Sequence, residues 1–175
     1  AVDALFWCHV LMAGAIFITP IYFHFVVQYL KIQARRSVLM GYAGAVLFSV
    51  LNWSPYFISG VSQKVGFSFW PDAGPLFLPF LLWWIIYAIY PVYLLLQAKR
   101  NNAVDRSSLM ILLAGTIIGY AGGITNYFLW YNIHILPFGN ISASIYIACV
   151  AYVTMHNRLF NMKVIATELL IFCLW

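Results

Sequence analysis

The chain places eight of its nine lysine and arginine residues in three short clusters that are separated by long apolar runs. The clusters lie at residues 31–36, 99–106 and 158–163, and two apolar runs lie between each cluster and the next. If every run crosses a membrane, all three clusters come to the same side, which is the positive-inside pattern of multi-pass membrane proteins. Only Lys64 is left for the opposite side. The sequence therefore predicts a membrane bundle whose basic clusters mark its cytoplasmic face.

The composition supports this interpretation and excludes several classes of protein. Hydrophobic residues make up 65% of the chain and charged residues 7%, whereas soluble domains carry about 25% charged residues. The net charge of +5 does not indicate a nucleic-acid partner, because the basic residues adjoin apolar runs. The three cysteines are isolated, so neither a disulfide framework, a metal site nor a cofactor is indicated. The predicted partner is the lipid bilayer of a cell membrane.

Five of the apolar runs are long enough to be transmembrane helices, which predicts an all-α integral membrane protein. The backbone must be helical because lipid offers no partners for unpaired amides. A β-barrel is excluded because its strands alternate over segments of about ten residues. The predicted helices cover residues 4–30, 37–58, 76–97, 107–130 and 140–156, and residues 59–75 are predicted to be a loop. With the amino terminus outside and the carboxyl end cytoplasmic, they form one bundle over residues 1–163.

The carboxyl end of the chain predicts the start of another helix. Residues 164–175 are apolar or amphipathic, and at about 18 Å they are too short to cross a hydrocarbon core of about 30 Å. Arg158, Lys163 and Glu168 are the polar residues of this exit segment. Glu168 is interpreted as an anchor for the segment, with a proton carrier as the alternative. Because no initiator Met is present and the chain ends within an apolar run, we expect a fragment of a longer protein.

Two predicted helices carry strips of small residues that favour close helix packing. The strips consist of Gly115, Gly119 and Gly123 on the fourth helix, and of Gly41, Ala45 and Ser49 on the second. Packing within one subunit is the preferred interpretation. A homodimer seam and a chance occurrence in a glycine-rich membrane sequence are the alternatives.

Polar residues near the outer side are candidates for contact with a ligand. Asn52 and Asn126 lie in the outer third of their predicted helices, and Trp70 and Asp72 lie in the predicted outer loop. A buried amide seeks a hydrogen-bond partner, so each asparagine either joins two helices or lines a cavity that opens outward. The unknown ligand is expected to contact these four residues.

A second polar group lies near the cytoplasmic end of the first predicted helix. His24 and Gln28 are four residues apart and therefore share one helix face. A neutral His24 bonded to a neighbouring helix is the preferred interpretation. A switch that responds to protons or to a ligand is the alternative, because an unperturbed histidine titrates near neutral pH.

The chain contains no pattern of residues that is typical of a catalytic site. Nucleophile–base pairs, acid pairs and a phosphate-binding glycine loop are all missing from the sequence. His156-Asn157-Arg158 lacks the acidic residue and the Thr-Pro that would mark a phosphoacceptor histidine. No catalytic residue is therefore predicted in this chain.

Several stretches of the sequence resemble the amino-terminal seven-helix membrane region of bacterial sensor histidine kinases. They include the stretch Gly119-Tyr-Ala-Gly-Gly-Ile-Thr-Asn-Tyr-Phe-Leu-Trp130 and the following Tyr131-Asn-Ile-His-Ile-Leu-Pro-Phe-Gly-Asn140. The exit stretch His156-Asn-Arg-Leu-Phe-Asn-Met-Lys163 and the earlier Pro20-Ile-Tyr-Phe-His-Phe25 also resemble that region. The resemblance implies that the five helices correspond to its third to seventh helices.

The resemblance also implies a function for the chain as a sensory input module of a two-component signalling system. An outside or intramembrane signal would shift the helix packing, and Arg158 to Lys163 would pass the shift to an ATP-dependent kinase on the same polypeptide. Related membrane modules precede cyclic-dinucleotide synthases, which is one alternative. The other is a fragment of a small-solute transporter with discontinuous helices near Pro20 and Pro91.

Overall fold

The computed structural model describes residues 2–101 and 105–156, and most of these residues are helical. The helices are α1 (Val2–Tyr29), α2 (Arg35–Leu51), α3 (Phe77–Arg100), α4 (Arg106–Phe128) and α5 (Gly139–His156). A two-stranded antiparallel sheet, β1 (Ile58–Lys64) and β2 (Phe67–Ala73), connects α2 to α3. A short 3-10 turn, Leu129–Tyr131, extends α4. The prediction of a mainly helical chain is therefore confirmed.

Successive helices run in opposite directions, so the molecule has two distinct ends. One core cluster joins the first half of α1, the end of α2 and the start of α3 to the sheet. The other joins the end of α1 to the end of α3, the start of α4 and the end of α5. The basic clusters at residues 31–36 and 99–106 consequently lie at the second end, which we call the basic end. The sheet lies at the opposite end, which we call the hairpin end.

Three helices of the described chain are long and apolar enough to cross a membrane. They are the segments Asp3–Tyr29, Phe77–Arg100 and Arg106–Tyr131. At 1.5 Å per residue, α1, α3 and α4 are each about 34 Å long or more, against a hydrocarbon core of about 30 Å. These helices indicate a membrane protein. The shorter α2 and α5, with 17 and 18 residues, are not among the three.

The prediction of a loop over residues 59–75 was wrong, because most of this segment forms a β-hairpin. Lys64 pairs with Phe67, so only Val65 and Gly66 form the turn. Both turn residues have positive φ, 44° and 82°, as a two-residue type I′ turn requires. The sequence did not reveal the hairpin because valine is unusual at positive φ. The fold is thus helical with one small sheet, rather than all-α.

The second predicted helix, over residues 37–58, also needs correction. In the structure α2 ends at Leu51, and Asn52 to Phe57 form turns that lead into β1. Ser54 starts the turns, since its carbonyl oxygen accepts hydrogen bonds from the backbone amides of Phe57 and Ile58 at 2.9 and 3.4 Å. Phe57 and Ile58, which the sequence analysis included in the helix, instead lie at the base of the hairpin and are almost fully buried.

The predicted exit segment lies outside the described residues. Arg158, Lys163 and Glu168, together with residues 164–175, therefore stay predictions from the sequence.

Candidate functional site

A groove runs along one side of the bundle, where α1 faces α4 and α5 and the hairpin forms the roof. It consists of two adjoining clefts with volumes of about 560 and 350 Å³. Five residues line both clefts: Leu11, Ala15, Asn126, Tyr127 and Asn140. Small-molecule sites in proteins typically measure about 300 to 1,000 Å³. The groove is therefore large enough to hold a ligand.

Aromatic side chains form the floor of the larger cleft. The ring of Trp84 on α3 lies 5.3 Å from that of Tyr120 and 5.5 Å from that of Tyr127, edge to face in both cases. Tyr146 of α5 continues this floor, with its ring 6.1 Å from that of Tyr120. The smaller cleft lies under the hairpin, where Phe69, Trp70 and Pro71 of β2 face the amino-terminal part of α1.

None of the residues that line the two clefts is charged in the described part of the chain. The polar groups in the groove include amides, hydroxyls and the indole N–H of Trp70, and several of them have no hydrogen-bond partner among the described residues. Asn126 Oδ1 accepts a hydrogen bond from the Gly139 amide at 3.2 Å, which leaves its Nδ2 free. The Tyr120 hydroxyl is buried without a partner. The groove thus offers unused hydrogen-bond donors within apolar walls.

A buried cation fastens the hairpin to the end of α4. Lys64 is 5% exposed, and its Nζ donates to the carbonyl oxygen of Leu129 at 2.7 Å and forms an ion pair with Asp72 at 2.5 Å. Longer contacts of 3.5 and 3.4 Å join the same Nζ to the carbonyl oxygens of Trp130 and Pro71. We call this arrangement the Lys64 latch.

The position of the latch follows from how α4 ends. The last carbonyl groups of a helix have no partner within the helix and carry partial negative charge. Asn132 has a left-handed backbone conformation, with φ of 59°, and ends the 3-10 turn. The carbonyl groups of Leu129 and Trp130 then face the hairpin, where the ammonium group of Lys64 meets them. A cation at this place stabilises both the helix end and the hairpin.

The four outer candidates from the sequence have different surroundings. Trp70 and Asn126 line the smaller cleft together. Asp72 lies in the latch, where its Oδ1 also accepts a hydrogen bond from Ser62 at 2.9 Å. Asn52 is fully buried away from the groove, and its Nδ2 donates to the carbonyl oxygen of His9 on α1 at 2.8 Å. Asn52 thus joins α1 to the end of α2.

His24 and Gln28 lie in contact at the basic end of α1, far from the groove. Gln28 Nε2 lies 3.3 Å from His24 Nε2, and His24 Nδ1 lies 3.1 Å from the Tyr42 hydroxyl on α2. His24 therefore connects α1 to α2 through its contact with Tyr42.

The two strips of small residues face different helices. A Cβ added at Gly115 would lie 2.5 Å from Cys149 Cβ, and one at Gly119 would lie 2.7 Å from Tyr146 Cβ, so this strip packs against α5. Gly123 is looser, with the Trp84 ring 4.0 Å away. On α2, the backbone at Gly41 meets Tyr87 of α3 and Pro20 of α1.

The rest of the α2 strip faces the interior as well. Ala45 is fully buried in the core cluster at the hairpin end, and Ser49 is half-buried with its hydroxyl unpaired. Gly115 and Gly119 on α4, and Gly41 and Ala45 on α2, therefore pack against other parts of the same chain, and a dimer seam stays an alternative prediction.

A buried hydrogen bond connects the groove side of the bundle to its basic end. The hydroxyl groups of Tyr22 on α1 and Thr116 on α4 form it. Thr116 Oγ1 in turn donates to the carbonyl oxygen of Leu112 at 2.6 Å, so Tyr22 is the donor of the first bond. The ring of Tyr22 also packs against Tyr120 and Tyr146, at 5.8 and 5.2 Å. The aromatic floor of the groove is thus in direct contact with α1.

The sequence did not identify the latch or the groove floor. Lys64 was assigned to the outer side by its isolation alone, and Trp84, Tyr120 and Tyr146 looked like ordinary apolar residues of their helices. No sequence signal placed Lys64 against α4, because Val65 obscures the turn that directly follows it. Among the described residues, no group of three histidine, cysteine or acidic side chains is placed to hold a metal ion.

Comparisons of the chain with protein-family models, with curated proteins and with solved structures found no match.

Proposed function

We propose that the chain is the sensory input module of a membrane-bound histidine kinase of a two-component system. The observation that carries the proposal is the groove, which is roofed by the latched hairpin and connected to the basic end through α1 and α4. The resemblance of the stretches around Gly119–Trp130 and Tyr131–Asn140 supports the same function. Both stretches contribute residues to the groove.

The proposal includes a membrane topology in which all five helices cross a bacterial cell membrane. The outer faces of α2 and α5 support it, since Val50 is 69% exposed and Ile141 is 68% exposed. Contiguous apolar faces of this kind are unfavourable in water and favourable in lipid. The clusters at residues 31–36 and 99–106 lie at one end, which the positive-inside rule assigns to the cytoplasm. The hairpin end, with its neutralised lysine, then lies outside.

The signalling mechanism requires two packing states that bind the stimulus with different affinity. In the described state, the hairpin is held on α4 by the latch, and the groove lies directly beneath. A stimulus in the groove contacts Trp70 and Asn126 on one side. On the other side it contacts Tyr120 and Tyr146, whose rings pack against that of Tyr22. Repacking there changes the position of the carboxyl end of α1 and of α5, which lead to the cytoplasmic side. A kinase on the same polypeptide is the proposed receiver.

A transporter is less well supported. Transporter sites typically lie where helices are interrupted near the middle of the membrane. Here α1 and α3 run without interruption through Pro20 and Pro91. The helix breaks on which this alternative depended are not found in the described residues.

A chimera tests the proposed function. The chain is fused in frame to the cytoplasmic transmitter of a histidine kinase, reconstituted in proteoliposomes, and assayed for autophosphorylation. We expect Ala143→Trp, which fills the groove, to change the rate severalfold, because it imposes one packing state. Val46→Trp, on the exposed face of α2, is the matched control. Equal rates for all three proteins would refute the proposal.

A further inference from the structure

The geometry points to an uncharged, single-chain amphiphile that partitions into the bilayer as the ligand of the groove. Binding itself does not depend on the proposed function, and only the role of the ligand as the stimulus rests on it. The inference concerns the chemical class of the ligand: a long aliphatic body with a hydrogen-bonding oxygen at its head.

The absence of charge from the lining excludes an ionised ligand. A charge buried without a partner is strongly unfavourable. Lys64, the buried cation at the hairpin end, is already engaged by Asp72 and by backbone carbonyl oxygens. No lining residue in the described ranges is acidic, so a cationic head would also lack a partner. The edge-to-face rings of the floor cover one another and do not form an open cage for a cation.

The walls of the groove favour an aliphatic body that enters from the side. Leu11 and Ile147 flank the larger cleft on α1 and α5, and they are 70% and 62% exposed. The groove is therefore continuous with apolar surfaces that face lipid in the proposed topology. A ligand dissolved in the bilayer reaches it without crossing a polar surface.

The unpaired donors define where the polar head lies. Asn126 and Asn140 line both clefts near the hairpin end, and Asn126 Nδ2 is free to donate. The Asn140 side chain is exposed and has no hydrogen-bond partner among the described residues, so it offers a second donor. An alcohol, ketone or ester oxygen satisfies such donors, whereas a purely aliphatic chain leaves them unpaired at a free-energy cost.

Photolabelling of the full chain in phosphatidylcholine vesicles tests the inference. The probe is a long-chain alcohol with a photoreactive diazirine, and mass spectrometry locates the labelled residues. We expect saturable labelling of α1 and α5 along the groove, with competition by the unlabelled alcohol. Ala143→Trp should weaken binding about tenfold, and the control Val46→Trp should not. Labelling that does not saturate, or that is equal in both variants, overturns the inference.

Two further binding experiments test the polar head group of the proposed ligand. Asn140→Leu removes an exposed amide that has no hydrogen-bond partner among the described residues, so the fold should be kept. We expect this variant to bind the alcohol probe more weakly and a matched alkane probe equally well. Probes with a carboxylate or a trimethylammonium head should bind about tenfold more weakly than the alcohol. Equal or tighter binding of either charged probe overturns the assignment of an uncharged ligand. Because no kinase is needed, failure here is distinguishable from failure of the signalling proposal.

Discussion

Lys64 differs from the basic residues at the opposite end because protein groups enclose its ammonium group. A solvated lysine contributes little to stability, whereas removal of one partner of a buried ion pair leaves the other uncompensated. Asp72 is 29% exposed and keeps some contact with water, which moderates this effect. At the scale of the residue, the latch is the strongest polar interaction of the hairpin end.

Replacement of Lys64 by methionine should destabilise the protein by about 2 to 3 kcal/mol, because Asp72 loses its counter-ion and the carbonyl of Leu129 loses its shortest hydrogen bond. Thermal unfolding in detergent micelles measures the loss. Arg100→Met, which removes an exposed cation at the basic end, is the control and should have little effect. If the two variants unfold at the same temperature, the latch does not exist in solution.

Asp105 gives the protein a pH-dependent helix cap. Its carboxylate accepts a hydrogen bond from the Ser108 amide at 2.8 Å, and this bond holds the pKa of Asp105 below its ordinary value of 3.8. A lowered pKa in the folded state means that the cap is fully effective above pH 3.8 and is lost as the pH falls further.

Hydrogen exchange of the first turn of α4 should therefore accelerate as the pH falls below 3.8, once the rates are corrected for the intrinsic effect of pH. Asp105→Asn keeps a capping oxygen but no titratable group, so it should remove this dependence. A wild-type protein whose corrected protection is the same at pH 3 and pH 6 would contradict the assignment.

At the scale of the element, formation of the hairpin and close packing of α4 on α5 both depend on backbone geometry more than on the hydrophobic pattern. The hairpin turn needs positive φ at two positions, and the helix pair needs residues without a side chain. The small-residue strip on α4 was recognisable in the sequence because its period of four matches a helix face. The hairpin was not recognisable, because its turn has valine at position 65, where type I′ turns favour asparagine, aspartate or glycine.

Val65→Asn should stabilise the hairpin by about 1 kcal/mol, since asparagine tolerates positive φ far better than a β-branched residue. The midpoint of thermal unfolding is the readout. Val61→Asn, in the extended part of β1, is the matched control and should not stabilise. A lower midpoint for Val65→Asn would show that the turn is not of type I′.

Alanine substitutions at two glycines of the same strip should have opposite effects. Gly119→Ala places a Cβ 2.7 Å from that of Tyr146, and such overpacking costs about 1 to 3 kcal/mol. Gly123→Ala meets only the Trp84 ring at 4.0 Å and should be neutral or slightly stabilising. Equal unfolding temperatures would mean that α4 and α5 are not packed through Gly119.

At the scale of the whole molecule, the described fold has one end rich in cations and another end with a neutralised lysine. Single cysteines in a background without the native ones report which side each end faces. We expect cysteines at Ile32 and Asn101 to react with an impermeant reagent only after the cytoplasmic side is opened. A cysteine at Gly66 should react from outside. Labelling of Ile32 and Gly66 from the same side would refute the proposed topology.

The sequence predicted the mainly helical class and the placement of the first two basic clusters at one end, because charge and hydropathy act locally. It did not predict the groove, since this depends on which helices are neighbours. Asn52 and Asn126 were equivalent as sequence features, yet one is buried against α1 and the other lines the groove. Only the relative placement of the helices distinguishes them.

Both members of the Lys64–Asp72 pair belong to the hairpin, so a displacement of the hairpin would carry both of them together. Such a displacement would move no net charge, and a transmembrane voltage does work only on net charge displaced across it. If the proposed signalling involves this hairpin, its response should therefore be the same in energised and in depolarised cells.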